Sequence, residues 1–499
     1  MCGICGYIAP EKLNDEGMLH ALAHRGPDCM GSKTSVIHQK KMFLGHTRLS
    51  VIDLSDKGNQ PMSAAGGSIH LVFNGEIYNF EKLKEQFLQE RPFTSASDTE
   101  VFLGMYERFG TDCISHFNGD FAAAILDENR DELILVRDRM GVKPLYYFRE
   151  GERFVFASEI RSILAAGVKA GLNEEQLQNF FVFKYVPGNE TLFRGIRRLP
   201  PAHFMRIKLD TSQTEVRRYW NPSDEKTQMD YGEAGSQLKS LVEDAVRMRL
   251  VADVPVGNFL SGGLDSSIIA GCTKDREDIR HYCAVKSPSD LRKEGTTSDI
   301  RYARMLAGRW GLHLEEVDIG GALLKEEMLQ KVVRHSDDLV ADGSMIPSWL
   351  IAQRASQRSV VLLSGMGADE LFLGYAGHQL TLLARKMDAL PGCMRKTIWK
   401  CMADIHPGKG RWKPYRRWLH KLGKYGSNEA SRYAFFSIVG DVETALSLFR
   451  DTAQFPLDFI SGYFGNDVPP FEALLKFETE NFLVKNLHYT DRMAMAHAV

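Results

Sequence analysis

Long apolar runs are missing from this 499-residue chain. None approaches the roughly 20 residues that cross a bilayer, so no membrane helix is expected. The opening MCGICGYIAP lacks the basic residues that begin a secretory signal. Cysteine is thinly spread, at 2, 5, 29, 113, 272, 283, 393 and 401. That excludes a disulfide scaffold and suits a reducing cytoplasm. An excess of one charge is lacking too. Lys and Arg total 62 against 64 Asp and Glu, so no overall field argues for nucleic acid or an anionic membrane. The chain's most conspicuous Gly-Ser loop, Phe259–Ser267 (FLSGGLDSS), has no lysine after its glycines, which excludes a Walker A loop. What is present is ordinary globular composition, 44% hydrophobic and 25% charged, with length for two or three domains.

FLSGGLDSS lies between two apolar runs, VPVGNFL and SIIAGC, and reads as strand, tight loop and helix. Gly262 and Gly263 let the backbone approach a ligand. The loop N–H groups and the helix start then face an anion, and Ser261, Ser266 and Ser267 add hydroxyls. Asp265 would repel a bare phosphate, so its expected role is to hold Mg²⁺ on one. For a lone SGG an ordinary turn is the better reading; the full SGGLDSS in this setting favours a phosphate loop. Downstream, HYCAVK (281–286) and LEEVDI (314–319) read as strands around a helix over 298–312, which predicts a doubly wound parallel sheet. Ligands of such sheets sit at the carboxyl ends of the strands. That places Leu260 and Val285 beside an adenosine, and Ser261, Gly262, Gly263, Asp265 and Ser266 at its phosphates. A second loop, within SVVLLSGMGADELFLGY (359–375), supplies Ser364, Gly365, Asp369 and Glu370; Asp265 and Asp369 would share the Mg²⁺. Asp342, Ser344 and Pro347 stand before a helix, where capping is the simple explanation.

At the other end, Cys2 follows the initiator Met. Removal of Met1 gives Cys2 a free α-amine, which titrates near 7.7–8 and can act as base for its own thiol. Cys2 and Cys5 also have CxxC spacing, so redox or zinc readings stay open on residue type alone. Short apolar strands are expected at 69–73, 121–126, 133–136 and 153–157. The first domain is expected to end near 205, with Pro200-Pro201 and SDEKTQ (223–228) marking a linker over 206–234 and Tyr219-Trp220 packing as an anchor. The segment 409–426 is basic with interleaved aromatics, as an RNA contact would be. A surface helix with Trp and Leu turned inward is favoured.

Taken together, MCGICGYI, AHRGPD (23–28), GHTRLSVID (45–53), NGEIYN (74–79), SDTE (97–100) and RDRMGVKPLYY (137–147) resemble, in order and spacing, the class-II glutamine amidotransferase domain. SGGLDSS resembles the pyrophosphate loop of ATP pyrophosphatases. With 337–375 and the closing YTDRMAMAHAV (489–499), the second half resembles the synthetase domain of glutamine-hydrolysing asparagine synthetases. The resemblance covers nearly every residue. It implies a four-layer α/β/β/α Ntn-hydrolase sandwich over 2–205. An ATP pyrophosphatase-like parallel-sheet domain follows over 235–499, shorter than in the family, which continues with helices carrying a lysine near the pyrophosphate. It implies Cys2 as nucleophile, Asn74 and the Gly75 N–H as oxyanion donors, Arg48 on the glutamine carboxylate, and Glu76 and Asp98 on its α-ammonium. His24–Asp28 are expected as structural loop residues.

The implied reaction uses glutamine and ATP with Mg²⁺. Ammonia from glutamine amidates a carboxylate, most simply aspartate to asparagine, through an acyl-adenylate, with AMP, pyrophosphate and glutamate released. Ammonia needs a sheltered path, so the domains should pack face to face. Two departures stand out. Met366 occupies a position often acidic in the family, and Leu373 one usually held by glycine. They open the alternative of another acceptor, such as a sugar acid, peptide or natural-product precursor, and leave Glu370 as the candidate acid or base. Expected partners are small molecules, with no nucleic acid and no membrane; a homodimer is frequent in the family.

Overall fold

The computed structural model describes residues 1–64, 66–222, 227–287, 299–320, 326–406, 413–426, 447–449, 459–464 and 468–499. Residues 1–218 build two six-stranded sheets. The first runs Ile196–Arg198, Tyr146–Glu150, Arg153–Ala157, Gly3–Ala9, Lys40–Arg48, Cys29–Ile37 from edge to edge. The second runs Thr214–Arg218, His203–Lys208, Glu132–Arg137, Gly119–Asp127, Ile69–Ile77, Met62–Ser63. Neighbouring strands in both are antiparallel.

Side-chain alternation explains the layering, because successive residues of a strand face opposite sides. In Gly3–Ala9, Ile4 and Ile8 meet Val72, Ala124 and Leu135 of the other sheet. Cys5, Tyr7 and Ala9 point the other way, onto Met18, Leu22 and Ile163 of the helices Asp15–Leu22 and Ile160–Ala165. The second sheet repeats the pattern. Val72 faces the first sheet, while Leu71, Phe73 and Ile77 pack on Leu83, Phe102 and Met105 of the helices Phe80–Phe87 and Asp98–Phe109. Helix, sheet, sheet, helix is the expected four-layer sandwich.

The sheet extends further than expected. The strands His203–Lys208 and Thr214–Arg218 add to its edge, so the domain continues past 205 into the segment read as linker. The Pro-Pro turn punctuates the domain and does not end it, because the next strand still finds a free sheet edge. Tyr219 is the expected anchor: its hydroxyl donates to Arg137 O at 2.9 Å and its ring packs on the helix-side core. Residues 223–226 of the expected linker lie outside the described residues.

The second half carries a four-stranded parallel sheet in the order His313–Asp318, Arg280–Val285, Val256–Phe259, Val361–Leu363. Both faces are covered. Leu260, Ala270, Cys283, Ile300 and Ala303 pack on one side, and Tyr282, Ile351 and Ala355 on the other. From Val256–Phe259 the chain adds two strands to one side, then returns to add Val361–Leu363 on the other. Strand order therefore reverses there, at the switch point where such sheets open a ligand crevice. Pro347 falls inside the first turn of the helix Met345–Ala355, where proline is tolerated, and Ser344 makes no side-chain cap. The basic segment forms the helix Lys413–Tyr425, with Leu422 buried against Ala384 and Trp399. Residues 409–412 of that segment lie outside the described residues. Among the described residues no helix is long and apolar enough to cross a membrane.

Candidate active sites

Cys2 precedes the strand Gly3–Ala9, buried, with its Sγ 3.8 Å from Leu49 O. Burial pushes its thiol up, so the thiol holds its proton at rest. The chain's α-amine, here on Met1, is pushed down to about 6 by burial, with Lys143 and Arg25 acting the same way. Burial at this place therefore favours the uncharged amine. Cys5 faces the helix layer and burial pushes its thiol up to about 12. Among the described residues no group of three Cys, His, Asp or Glu could hold a metal. Cys2 and Cys5 are both free thiols here, with Cys5 packed in the helix-side core.

Asn74 and Gly75 lie within the strand Ile69–Ile77, and not in a hairpin turn as an Asn-Gly pair often does. Asn74 is fully buried, and neither its Oδ1 nor its Nδ2 has a hydrogen-bond partner. A buried unpaired amide costs about 1–3 kcal/mol, so such a group has a use elsewhere. Gly75 has φ 148°, and a Cβ there would collide with Asp120 O and Phe121. Glu76 and Asp98 are neighbours, and burial raises both; Asp98 reaches about 6, and Glu76 is raised further by the Asp98 charge. Ile77 N–H donates to Asp98 Oδ2 at 2.8 Å and fixes it. The two carboxyls therefore share a proton until a cation arrives.

Arg48 is tied more than the sequence implied. Nη1 donates to Ser55 O at 2.7 Å and Asn59 Oδ1 at 2.8 Å, and Nη2 donates to Asp53 O. Of five guanidinium hydrogens this leaves Nε–H and one on Nη2, still two donors for a carboxylate.

In the second domain, Ser261 follows the strand Val256–Phe259, and Gly263 caps the helix Leu264–Cys272. Gly262 has φ +87°, and a Cβ there would lie 2.5 Å from Asp299 O. Ser261 Oγ and Ser266 Oγ are 3.0 Å apart, and the Gly263 N–H donates to Ser261 Oγ at 3.3 Å. The second loop abuts the first: a Cβ on Gly365 would lie 2.9 Å from Asp265 Cβ and Ser266 N. Ser364 Oγ accepts from Met366 N at 3.2 Å. Burial raises Asp265, and the charges of Asp369 and Glu370 raise it further; burial and Glu370 do the same to Asp369. Carboxylates that repel each other across two strand ends fit a divalent cation that takes its other ligands from phosphate and water. Leu260 is wholly buried and its N–H donates to Tyr282 O at 2.9 Å, so only its carbonyl is left for a nucleotide. Val285 is half-buried beside it. Glu370 is buried, with Oε1 accepting from Tyr375 OH at 2.7 Å and from Asn486. Met366 Sδ accepts from Thr490 Oγ1 at 3.1 Å and packs with the apolar cluster around Trp349 and Met493.

The residues missed from the sequence are those that join the domains. Arg25 is fully buried; Nε donates to Cys2 O at 3.0 Å, and Nη1 reaches Glu159 at 3.0 Å and Asp491 at 2.9 Å. Asp491 and Arg492 sit on the helix Leu483–Met495 of the second domain. Lys143 adds a contact to Asp491 at 3.5 Å, and Arg492 binds Glu159 at 2.6 Å and Asp337 at 3.2 Å. Burial would raise Asp491, but Arg25 and Lys143 outweigh it and hold the carboxyl well below the usual range. Glu159 behaves alike under Arg492 and His24. For Asp337 burial wins and the carboxyl is raised. Arg25 was read as part of a structural loop; nothing in AHRGPD signals that its charge is spent across the interface. Lys485 was also missed, and donates to Asp342 Oδ2 at 2.8 Å.

An Ntn-type sandwich with a cysteine at its first strand, joined to a parallel sheet with phosphate-loop chemistry at its switch point, defines a two-domain glutamine amidotransferase architecture. Residues 1–220 match the family of glutamine amidotransferase domains, and residues 237–499 match asparagine synthase. The chain belongs to the asparagine synthase family. It is 33% identical over 404 residues to a putative asparagine synthetase (glutamine-hydrolyzing) 2 of Methanocaldococcus jannaschii, covering 76% of each chain. It is 31% identical over 420 residues to asparagine synthetase (glutamine-hydrolyzing) 1 of Bacillus subtilis, covering 82% of this chain and 64% of that one. Amidase chry2 of Gibberella zeae is 33% identical over 432 residues, covering 80% and 63%. The chain thus spans less than two thirds of the length of the last two.

Proposed function

We propose that the protein is a glutamine-hydrolysing, ATP-driven ligase that amidates a carboxylate. The observation that carries the reading is the contact of the two loops at the switch point, which gathers Ser261, Ser266, Asp265 and Asp369 on one spot. Once Met1 is removed, the amine of Cys2 takes the thiol proton and Sγ attacks the glutamine amide carbon; the amine returns that proton to the leaving nitrogen as the C–N bond breaks, ammonia departs, and water hydrolyses the thioester to glutamate and free Cys2. The orphaned Asn74 amide and the Gly75 N–H take the developing oxyanion. The Glu76–Asp98 pair loses its shared proton to receive the α-ammonium, and Arg48 takes the carboxylate. At the second site Asp265 and Asp369 would hold Mg²⁺, which neutralises charge on the departing pyrophosphate. The hydroxyls of Ser261, Ser266 and Ser364 and the loop around Gly262, Gly263 and Gly365 cradle phosphate, with Leu260 and Val285 beside the adenosine. Glu370, sharing a hydrogen bond with Tyr375, is the proposed acid or base.

Aspartate is the first acceptor in this reading. The apolar setting of Met366 and the likeness to a protein named an amidase favour keeping other carboxylates as the alternative. Eight free cysteines support a cytoplasmic setting. The family likeness supports a homodimer.

The test is pyrophosphate release from Mg-ATP with ammonia supplied, across carboxylates including aspartate. Release with aspartate alone, and asparagine as product, establishes the synthetase. Release with another carboxylate keeps the mechanism and changes the acceptor. In the same assay Cys2→Ala should lose only glutamine-dependent amidation, and Glu370→Gln only adenylation. Loss of both activities in either variant would make that residue structural.

A further inference from the structure

A cavity of about 760 Å³ opens where the two domains meet, away from both loops and from Cys2. Its wall carries His20, His24 and Arg161 from the first domain and Lys331, Arg334 and His335 from the second. Among the described residues the one carboxylate in the wall is already satisfied. Asp337 accepts from the N–H groups of Ile160 at 2.6 Å and Arg161 at 3.0 Å, and pairs with Arg492. Arg161 is likewise engaged, with Glu159 at 2.8 Å. Lys331 and Arg334 are different: among the described residues neither side chain has a carboxylate within pairing distance. The imidazoles add to the imbalance. His24 and His335 stand edge to face with centroids 5.4 Å apart, and His335 Nδ1 is buried without a partner. Burial, then the charges of His24 and Arg161, push His335 down to about 4, against a weaker pull from Glu159; His497 opposes protonation as well. The wall thus presents two exposed cations without a carboxylate partner, and an imidazole that burial first, and then its neighbours, keeps neutral with one buried nitrogen unpaired.

A multivalent anion engages these three groups together. It pairs with Lys331 and Arg334, accepts from the unsatisfied His335 ring and favours its protonation. The cavity volume lies within the range, about 300–1,000 Å³, that holds small organic ligands. We propose that this interdomain cavity binds a phosphate-bearing small molecule, held by Lys331 and Arg334 with His335 and His24 completing the contacts. Both a free pyrophosphate and a nucleotide phosphate carry this chemistry. The position also gives the anion a route to the nucleophile. His24 Nε2 lies 3.1 Å from Glu159, Glu159 holds Arg25, and Arg25 Nε holds the Cys2 carbonyl. Occupancy that draws His24 or Arg161 from Glu159 alters the support behind Cys2. This second clause rests on the proposed glutaminase; the binding site itself does not.

The test is histidine-labelled NMR of the full chain, titrated with inorganic pyrophosphate or with AMP at constant ionic strength and without divalent cation. His335→Gln assigns the resonance. The expected result is a saturable shift of the His335 signal and a rise of its pKa by about one unit or more. The shift is lost in the Lys331→Ala/Arg334→Ala double variant and kept in Asp265→Asn, which disturbs only the phosphate loop. A response to pyrophosphate identifies a site that reads phosphate alone; a response to AMP only adds recognition of the nucleoside. No saturable shift with either anion at millimolar concentration, an equal shift with chloride, or an unchanged response in the double variant overturns the site. In parallel, pyrophosphate should change the rate of glutamine hydrolysis in the wild-type protein and not in the double variant. If the protein hydrolyses no glutamine, that arm fails while the NMR result stands.

Discussion

Asn74 shows what one residue contributes when its environment withholds a partner. Its amide is wholly buried, and neither its oxygen nor its nitrogen has a partner, although its backbone lies in the ladder opposite Ala122. In the proposed glutaminase an oxyanion formed only during the reaction would be its partner, because a preorganised donor needs no reorganisation. Asn74→Ala should therefore lower kcat for glutamine hydrolysis by about 10²–10³ with little change in KM. Steady-state kinetics of the variant check this; a change confined to KM would make Asn74 a substrate contact. NGEIYN marks Asn74 as a candidate, and its position marks Cys2. The states of the neighbouring groups were not legible. A carboxyl pair held at one proton, and an amine near 6, depend on how much water the fold removes. Arg48 illustrates the same limit, since its loop contacts to Ser55 and Asn59 come from chain folded back on itself.

The elements around the second site were readable because their cues are local. Apolar runs ending in SGG and SGM announce strands that stop at tight loops, and the glycines mark close approach. What the loops approach was not readable. Gly262 lies against Asp299 O, and Gly365 lies against Asp265 and Ser266 of the other loop. Those distances exist because strand order reverses between Val256–Phe259 and Val361–Leu363. Gly365→Ala places a methyl 2.9 Å from Asp265 Cβ and Ser266 N, and neither backbone nor Cβ can move aside without opening the loops. The expected outcome is loss of pyrophosphate release, a stability loss of about 1–3 kcal/mol and unchanged glutamine hydrolysis. Denaturation and the two activity assays check it; normal pyrophosphate release would mean the loops need not touch. The same scale explains the extra strands beyond 205. In His203–Lys208, Met205 and Ile207 turn into the core between the sheets and Phe204 into the helix-side core, so the strand buries both faces at a free sheet edge.

The whole molecule is held at its domain interface by charge. Arg25, Lys143 and Arg492 face Glu159, Asp337 and Asp491 in a buried cluster that ends at the Cys2 carbonyl. Removing one partner leaves buried charge uncompensated, at about 3–5 kcal/mol. Asp491→Asn should lower stability by that order and reduce glutaminase activity, although Asp491 lies in the other domain. Calorimetry and glutamine hydrolysis check it; a stable variant with full activity would show that the cluster only fills space. Acid has the same sign. Asp491 and Glu159 are held below their ordinary range, so their contribution is complete above about pH 4 and is lost as pH falls further. Asp337, raised by burial, does not add to it. The sequence by itself determined the two modules and the order of their motifs, and it put forward the candidate reacting residues, because those signals reside in short stretches whose spacing survives without folding. Only the tertiary structure decided which charges meet, which amide is left unpaired and which cavity forms between the domains. Those outcomes depend on residues hundreds of positions apart, such as Arg25 and Asp491, being brought into a dry interface where pairing, and not solvent, sets their energy.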